Sequence, residues 1–339
     1  MPMKQVIIKK NEAGQRFDKF LSKLLKEAPS SFIHKMLRKK NITLNGKKAD
    51  GSEKLVLDDE IKLFLSDETI EKFSIPTSQI EAESANLTKH DSKKLDIVFE
   101  NEDIIMINKP AGMLSQKAKP EDVSLIEYMM SYLLEKGDLT TEMLKTFKPG
   151  ICNRLDRNTS GIVVGGKTMR GLQEMSEAFK ERSIHKYYLC VVRGIIKNRN
   201  TIEGFLIKDH FTNKVTISKT DTGDADSLPI KTEYIPIANN DNLTLLKVNL
   251  ITGRSHQIRA HLSSIGHPII GDFKYGNETC NEQYKKIYNI KSQLLHAYEV
   301  VYPSMQLKVH TEIPKDMDKV LRGENIWQPG IQEVLEAQY

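Results

Sequence analysis

Cysteine is scarce in this sequence: Cys152, Cys190 and Cys280 are odd in number and widely spaced, so they build neither a disulfide framework nor a Cys-x-x-Cys metal site. A reducing cytoplasm is the expected setting. Long hydrophobic runs are missing too. None approaches the roughly 18 residues a membrane span requires, and no membrane partner is expected. The N-terminus, Met1-Pro2-Met3-Lys4-Gln5-Val6-Ile7-Ile8-Lys9-Lys10, lacks the apolar core and small-residue cleavage site of a signal peptide, so export is not expected. No internal repeat of fixed period occurs. With 39% hydrophobic and 28% charged residues, the 339-residue chain has the composition of a soluble globular protein with room for one large core and a small satellite domain.

The net charge of +5 is unevenly spread. Residues 1–65 carry 15 Lys/Arg against 8 Asp/Glu, residues 66–94 carry 4 against 6, and the remainder is balanced at 31 each. A small basic part joined to a neutral large one suggests that the first supplies backbone affinity for a polyanion while the second does chemistry. A solvated lysine-rich surface would give the same count.

Within residues 14–65, Phe17, Phe20, Leu21, Leu24 and Leu25 recur at helical spacing, and Phe32, Ile33, Met36 and Leu37 repeat the pattern, which predicts two short helices with apolar stripes facing a core. Lys35, Arg38, Lys39 and Lys40 fall on the exposed side of the second. Ile42-Thr43-Leu44-Asn45-Gly46 then reads as a strand and tight turn. Residues 66–94 are polar, poor in aromatics and interrupted by Pro76, and read as a linker. Order resumes with Leu95–Glu100 and Asp103–Lys109, a β-hairpin closed by Pro110-Ala111-Gly112. Further strands are expected at 161–165, 188–192, 231–235 and 243–251, and helices near 123–135, 170–181 and 256–265. The class is α+β with a mainly antiparallel sheet.

Chemistry is expected in three places. Asn153-Arg154-Leu155-Asp156-Arg157-Asn158-Thr159-Ser160-Gly161 puts a carboxylate at the entrance of a buried strand, where Asp156 either serves a reaction or pairs with Arg154 or Arg157 to fix the loop. In His185–Gly194, period-2 alternation sets Tyr188, Cys190 and Val192 on one face, with Tyr188 inward as core or as a site residue. In Thr252–Leu262 a strand end becomes a helix closed by Gly266 before Pro268. His256 and Arg259 share a face of it. His256 and His261 lie five apart, not the i, i+4 spacing of a zinc pair, and no metal is expected.

Two resemblances join these features. Arg16-Phe17-Asp18-Lys19-Phe20-Leu21, Ile42-Thr43-Leu44-Asn45-Gly46 and Asp58-Asp59-Glu60-Ile61 resemble the alpha-L type RNA-binding domain over about 50 residues, with Asp58-Asp59 standing where that domain usually has Gly-Asp. This implies RNA contacts by Arg16, Lys19, Lys35, Arg38, Lys39, Lys40 and Asn45. The stretch from 95 to the low 320s resembles the RluA/RluC/RluD family of RNA pseudouridine synthases. It does so through Asn108-Lys109-Pro110-Ala111-Gly112, Arg154–Gly161, Lys186-Tyr187-Tyr188-Leu189, Thr252–Arg259 and Gly266-His267-Pro268-Ile269-Ile270-Gly271-Asp272.

The family resemblance implies a pseudouridine synthase fold with a mainly antiparallel mixed sheet and flanking helices. It implies Asp156 as the catalytic aspartate, Tyr188 as the aromatic that stacks on the target base, Arg259 as the partner of the aspartate, and Leu295 as an apolar wall of the pocket. Arg154 would enter the space a flipped uridine vacates, unless it forms a structural salt bridge. Asn153 replaces the histidine usual at that position. The expected organisation is an alpha-L domain at 1–65, the linker at 66–94, a catalytic domain at 95–323 and a C-terminal tail at 324–339. The expected substrate is 23S ribosomal RNA, with tRNA or another RNA as the alternative, and neither a cofactor nor an obligate protein partner is implied. A non-catalytic assembly factor would not need the three site residues, and a glycosidase would need a second carboxylate near these motifs.

Overall fold

The computed structural model of the chain describes residues 3–337 apart from 210, 213 and 225. It divides into two compact units interleaved in sequence. The first comprises Met1–Met106, Gln116–Asn153 and Val164–Glu177, the second Ile107–Ser115, Arg154–Val163 and Ala178–Tyr339. Among the described residues no helix is long and apolar enough to cross a membrane.

The first unit opens with β1 (Lys4–Ile7), α1 (Phe17–Leu24), α2 (Ser30–Arg38), β2 (Ile42–Leu44) and β3 (Glu60–Leu63), the strands forming an antiparallel sheet in the order β1-β3-β2. Phe17, Phe20 and Leu21 of α1 and Ile33, Met36 and Leu37 of α2 are buried in one cluster with Ile42, Ile61 and Leu63, as the spacing predicts. Asn45 (φ 50°) and Gly46 (φ 73°) make the tight turn after β2, closed by the paired backbone bonds of Leu44 and Lys47.

Residues 66–94, expected as a polar linker, instead hold α3 (Asp67–Phe73) and α4 (Thr77–Leu87). Few apolar residues suffice because they are well spaced. Ile70 joins the N-terminal core, Phe73 meets Phe32 with ring centroids 4.7 Å apart, and Ile80 and Leu87 are buried. In chain order there follow β4 (Asp96–Glu100), β5 (Ile104–Lys109), α5 (Leu125–Lys136), β6 (Gly150–Ile151), β7 (Ser160–Gly166) and α6 (Met169–Glu181), of which Ile107–Lys109, Ser160–Val163 and Ala178–Glu181 belong to the second unit. α5 starts at a Ser124/Glu127 capping box and stops at Gly137 (φ 85°).

The second unit adds β8 (His185–Arg193), β9 (Asn200–Lys208), β10 (Val215–Ser218), β11 (Leu228–Asn239), β12 (Leu243–Leu250), α7 (Gln257–Ser264), α8 (Glu278–Tyr288), β13 (Leu295–Tyr302), β14 (Leu307–His310), α9 (Lys315–Gly323) and α10 (Ile331–Glu336). The strands run β10-β9-β11-β12-β8-β13-β7, with β14 on the remaining part of β13. These pairings are antiparallel except β13 with β7, which is the mixed, mainly antiparallel sheet expected. At the parallel step the strands approach so closely that a Cβ on Gly161 (φ +112°) would lie 2.2 Å from the Ala297 carbonyl oxygen. Only glycine fits there.

Both faces of β8 are covered. Leu189 and Val191 point into a cluster with Tyr284 of α8, Met317, Val320 and Leu321 of α9, and Ile331 and Leu335 of α10. The C-terminal segment expected as a separate tail is thus part of this core, and Lys247 Nζ donates to the Leu335 carbonyl at 2.8 Å. Alternation turns Tyr188 and Cys190 to the opposite face.

Candidate active site

The loop carrying Asp156 is fixed from below by one buried lysine. Lys109 Nζ donates to the carbonyls of Pro110 (3.0 Å), Met113 (2.9 Å) and Arg157 (3.1 Å). Burial pushes its ammonium down to about 8, while Asp156 acts the other way. Ser115 Oγ donates to the Leu155 carbonyl at 2.8 Å and accepts the Leu155 N–H at 3.1 Å, and Arg157 Nε donates to the Gly112 carbonyl at 3.1 Å. Arg157 is therefore engaged with backbone rather than with Asp156. Arg154 is exposed and forms no ion pair among the described residues.

The partner of Asp156 arrives from 103 residues away. Arg259, in the first turn of α7, donates through Nη1 to Asp156 Oδ2 at 2.9 Å. Its other edge is taken by Asp272, Nε to Oδ2 at 2.7 Å and Nη2 to Oδ1 at 2.9 Å. This is the fork geometry that arginine makes with carboxylates. Asp272, 1% exposed, also accepts the backbone N–H of Lys274 and Tyr275. The turn before it needs Gly271 (φ +77°), whose Cβ would sit 2.3 Å from the Ser292 carbonyl oxygen.

The start of α7 is set by Gln257, whose Nε2 donates to the Lys231 carbonyl and Thr232 Oγ1 while its Oε1 accepts from Thr252 Oγ1 and the Arg254 N–H. Arg259 is thus held rigidly, and Asp156, 25% exposed, keeps access to solvent.

Tyr188 is buried, 6% exposed, and both burial and the Asp156 charge raise its phenol above the usual range. It remains a neutral ring at ordinary pH. Leu295, also buried, pairs in register with Cys190, and Ala297 with Tyr188, so β13 runs beside the tyrosine. His256 and His261 diverge: His256 bonds Tyr275, and His261 bonds Thr232.

The basic candidates of the first unit fall on its surface. Lys19, Lys35, Arg38, Lys39 and Lys40 are exposed, whereas Arg16 is paired with Asp18 at 2.9 Å. Asn45 uses its amide internally, donating to Asp59 Oδ1 and accepting the Glu60 N–H, both at 2.8 Å. Asn153, the departure from the family motif, accepts the Val164 N–H at 2.7 Å through Oδ1.

Sequence reasoning assigned no role to Lys109, Asp272, His256 or Tyr275. All four stood within or beside the quoted motifs, but the partners that reveal them are carbonyls and side chains brought in by folding.

Residues 103–264 match the family model described as RNA pseudouridylate synthase, a span that includes Asp156, Tyr188 and Arg259. A curated relative, an uncharacterised RNA pseudouridine synthase of Mycoplasma genitalium, is 31% identical over 302 residues, covering 88% of this chain and 89% of its own. The chain belongs to the RluA/RluC family of RNA pseudouridine synthases. Like other members of the family, it is an isomerase that converts uridine to pseudouridine. A second family member, the ribosomal large subunit pseudouridine synthase C of Rickettsia bellii, is 33% identical over 305 residues, 87% of this chain and 92% of its own. Human RNA pseudouridylate synthase domain containing 4 shares the fold with a TM-score of 0.57 at 20% identity, over 75% of this chain and all of that one.

Proposed function

We propose that this chain pseudouridylates 23S ribosomal RNA of the large subunit in the cytoplasm, with Asp156 as the carboxylate at the reacting sugar. The observation that carries the site assignment is the single guanidinium of Arg259 shared by Asp156 and the buried Asp272. The RNA assignment is supported by relatives named for the large ribosomal subunit.

The reaction breaks the bond from N1 of uracil to the sugar, turns the base, and joins carbon 5 to the sugar; carbon 5 gives up its proton and N1 takes one up, so the product is an isomer. Asp156 either attacks the sugar or stabilises its developing positive charge, and both roles require the ionised form. Arg259 orients the carboxylate through a direct, charge-assisted hydrogen bond to Oδ2. Tyr188 offers a flat neutral face to the base, and Leu295 an apolar wall. Because the target atoms are inaccessible in stacked RNA, the uridine is flipped out or already unpaired, and exposed Arg154 takes the vacated space.

The stacking role predicts that Tyr188→Phe keeps RNA binding and measurable turnover. Tyr188→Ala loses turnover and, as a large-to-small change in a buried position, costs about 3–5 kcal/mol of stability. Pseudouridine formation and thermal unfolding on the same samples check both; full activity in the alanine variant would remove the role.

The alpha-L type N-terminal part is the proposed RNA-binding element, with Lys19, Lys35, Arg38, Lys39 and Lys40 free to meet phosphates and Arg16 and Asn45 beside them. Replacing Lys35, Arg38, Lys39 and Lys40 together by Gln should weaken binding and reduce the slope of log affinity against log salt by roughly 0.7–0.9 for each phosphate no longer neutralised. Titrations of a structured RNA fragment at several salt concentrations measure this. An unchanged slope would assign the affinity elsewhere.

A further inference from the structure

A histidine that the chemistry above leaves unused stands beside Asp156. His256 Nδ1 lies 2.8 Å from the Tyr275 hydroxyl, and that oxygen also accepts the Val215 N–H at 3.0 Å. A phenol oxygen already accepting one N–H has its own proton to donate, and Nδ1 is the acceptor within reach. The imidazole proton is then on Nε2. That atom lies 3.8 Å from Asp156 Oδ2, the oxygen held by Arg259.

The arrangement is built rather than incidental. His256 has φ 57°, a left-handed backbone that a non-glycine residue adopts at a cost, and it caps the start of α7. The Arg259 guanidinium lies over the Tyr275 ring at 5.1 Å, and the Tyr275 N–H donates to Asp272 Oδ1 at 3.1 Å. Asp272 therefore anchors both the arginine and the tyrosine that fixes the histidine.

We infer that His256 is a positioning residue for the isomerisation: a neutral imidazole, locked as the Nε2–H tautomer by Tyr275, that holds a hydrogen-bond donor ready for Asp156 when the carboxylate shifts toward the reacting sugar. This role rests on the reading of Asp156 as the working carboxylate. The gap of 3.8 Å is longer than a hydrogen bond. A small swing of the carboxylate closes it.

The groups facing the ring are Asp156 and Asp272, which favour its protonation, and Arg259 and Lys274, which oppose it; burial is the largest influence and also opposes it, holding the ring below the ordinary histidine range. Geometry acts in the same sense. A protonated ring would bring a second N–H to a phenol oxygen that already accepts Val215, and would draw Asp156 into a direct ion pair that masks it from substrate. Acidification should therefore switch the site off.

Two measurements on the full chain test this. In 15N-histidine NMR without RNA at pH 7.5, with the His256 signals identified by their loss in His256→Gln, Nε2 is expected protonated and Nδ1 bare; the opposite tautomer overturns the proposal. In pH profiles of pseudouridine formation, the wild type is expected to lose kcat as pH falls below the ordinary histidine pKa. His256→Gln, which places an amide donor near the Nε2 position, should retain activity within roughly tenfold and lack that acid limb, while His256→Leu loses more than about tenfold in kcat with little change in KM. An acid limb identical in wild type and His256→Gln overturns the proposal. Failure of the Asp156 reading would show separately, as activity surviving in Asp156→Asn.

Discussion

Asp156→Asn protein is expected to fold normally and to make pseudouridine at least about 10³-fold more slowly than wild type, a loss of roughly 4 kcal/mol in transition-state stabilisation. The amide has the shape of the carboxylate but neither attacks the sugar nor offsets its positive charge. The fold should tolerate the change because Arg259 keeps both hydrogen bonds to Asp272, and the Asp156 side chain is 25% exposed, so its ion pair with Arg259 contributes modestly to stability. Release of tritium from RNA carrying uridine tritiated at carbon 5 follows the reaction directly, and circular dichroism checks the fold. Turnover within tenfold of wild type by a folded variant would remove Asp156 from the chemistry.

Only part of this site is legible in the sequence. The run Arg154-Leu155-Asp156-Arg157 leaves the partner of the carboxylate open between its two neighbours, yet Arg157 bonds the Gly112 carbonyl and the real partner is Arg259. Periodicity reports which face of one element is buried; it does not report which elements meet. The resemblance supplied that pairing, and the distance of 2.9 Å agrees with it. The short helices of 66–94 were invisible for a different reason. A polar average hides the apolar residues that pack, Ile70, Phe73, Ile80 and Leu87, whose spacing matters more than their number.

The turn at Asp58-Asp59 shows the converse. Asp58 takes φ 68° where the alpha-L pattern has glycine, and Asp59 Oδ2 accepts the Val56 N–H at 2.8 Å. Aspartate is among the residues that tolerate this backbone, so the departure keeps the turn. Asn153 is similar: its acceptor on the Val164 N–H is a structural use that needs no imidazole.

Removing Asp272 should produce the other large effect, and of the opposite kind. Asp272→Ala deletes the bidentate partner of Arg259 and the acceptor of two backbone N–H groups at a position 1% exposed, leaving a guanidinium 9% exposed with only Asp156 to face. A buried charge deprived of its partner typically costs about 3–5 kcal/mol, so a fall in Tm on the order of 10 °C is expected, together with loss of turnover as Arg259 and Tyr275 drift. The combined Arg259→Met, Asp272→Leu protein discriminates between causes. It removes both charges and refills the space with apolar atoms, so it should recover much of the stability of the single variant and none of the activity. If Asp272→Ala melts with the wild type, the buried carboxylate is not what holds Arg259 against Asp156. If the double variant makes pseudouridine, the guanidinium is not needed to hold Asp156 in place for the reaction.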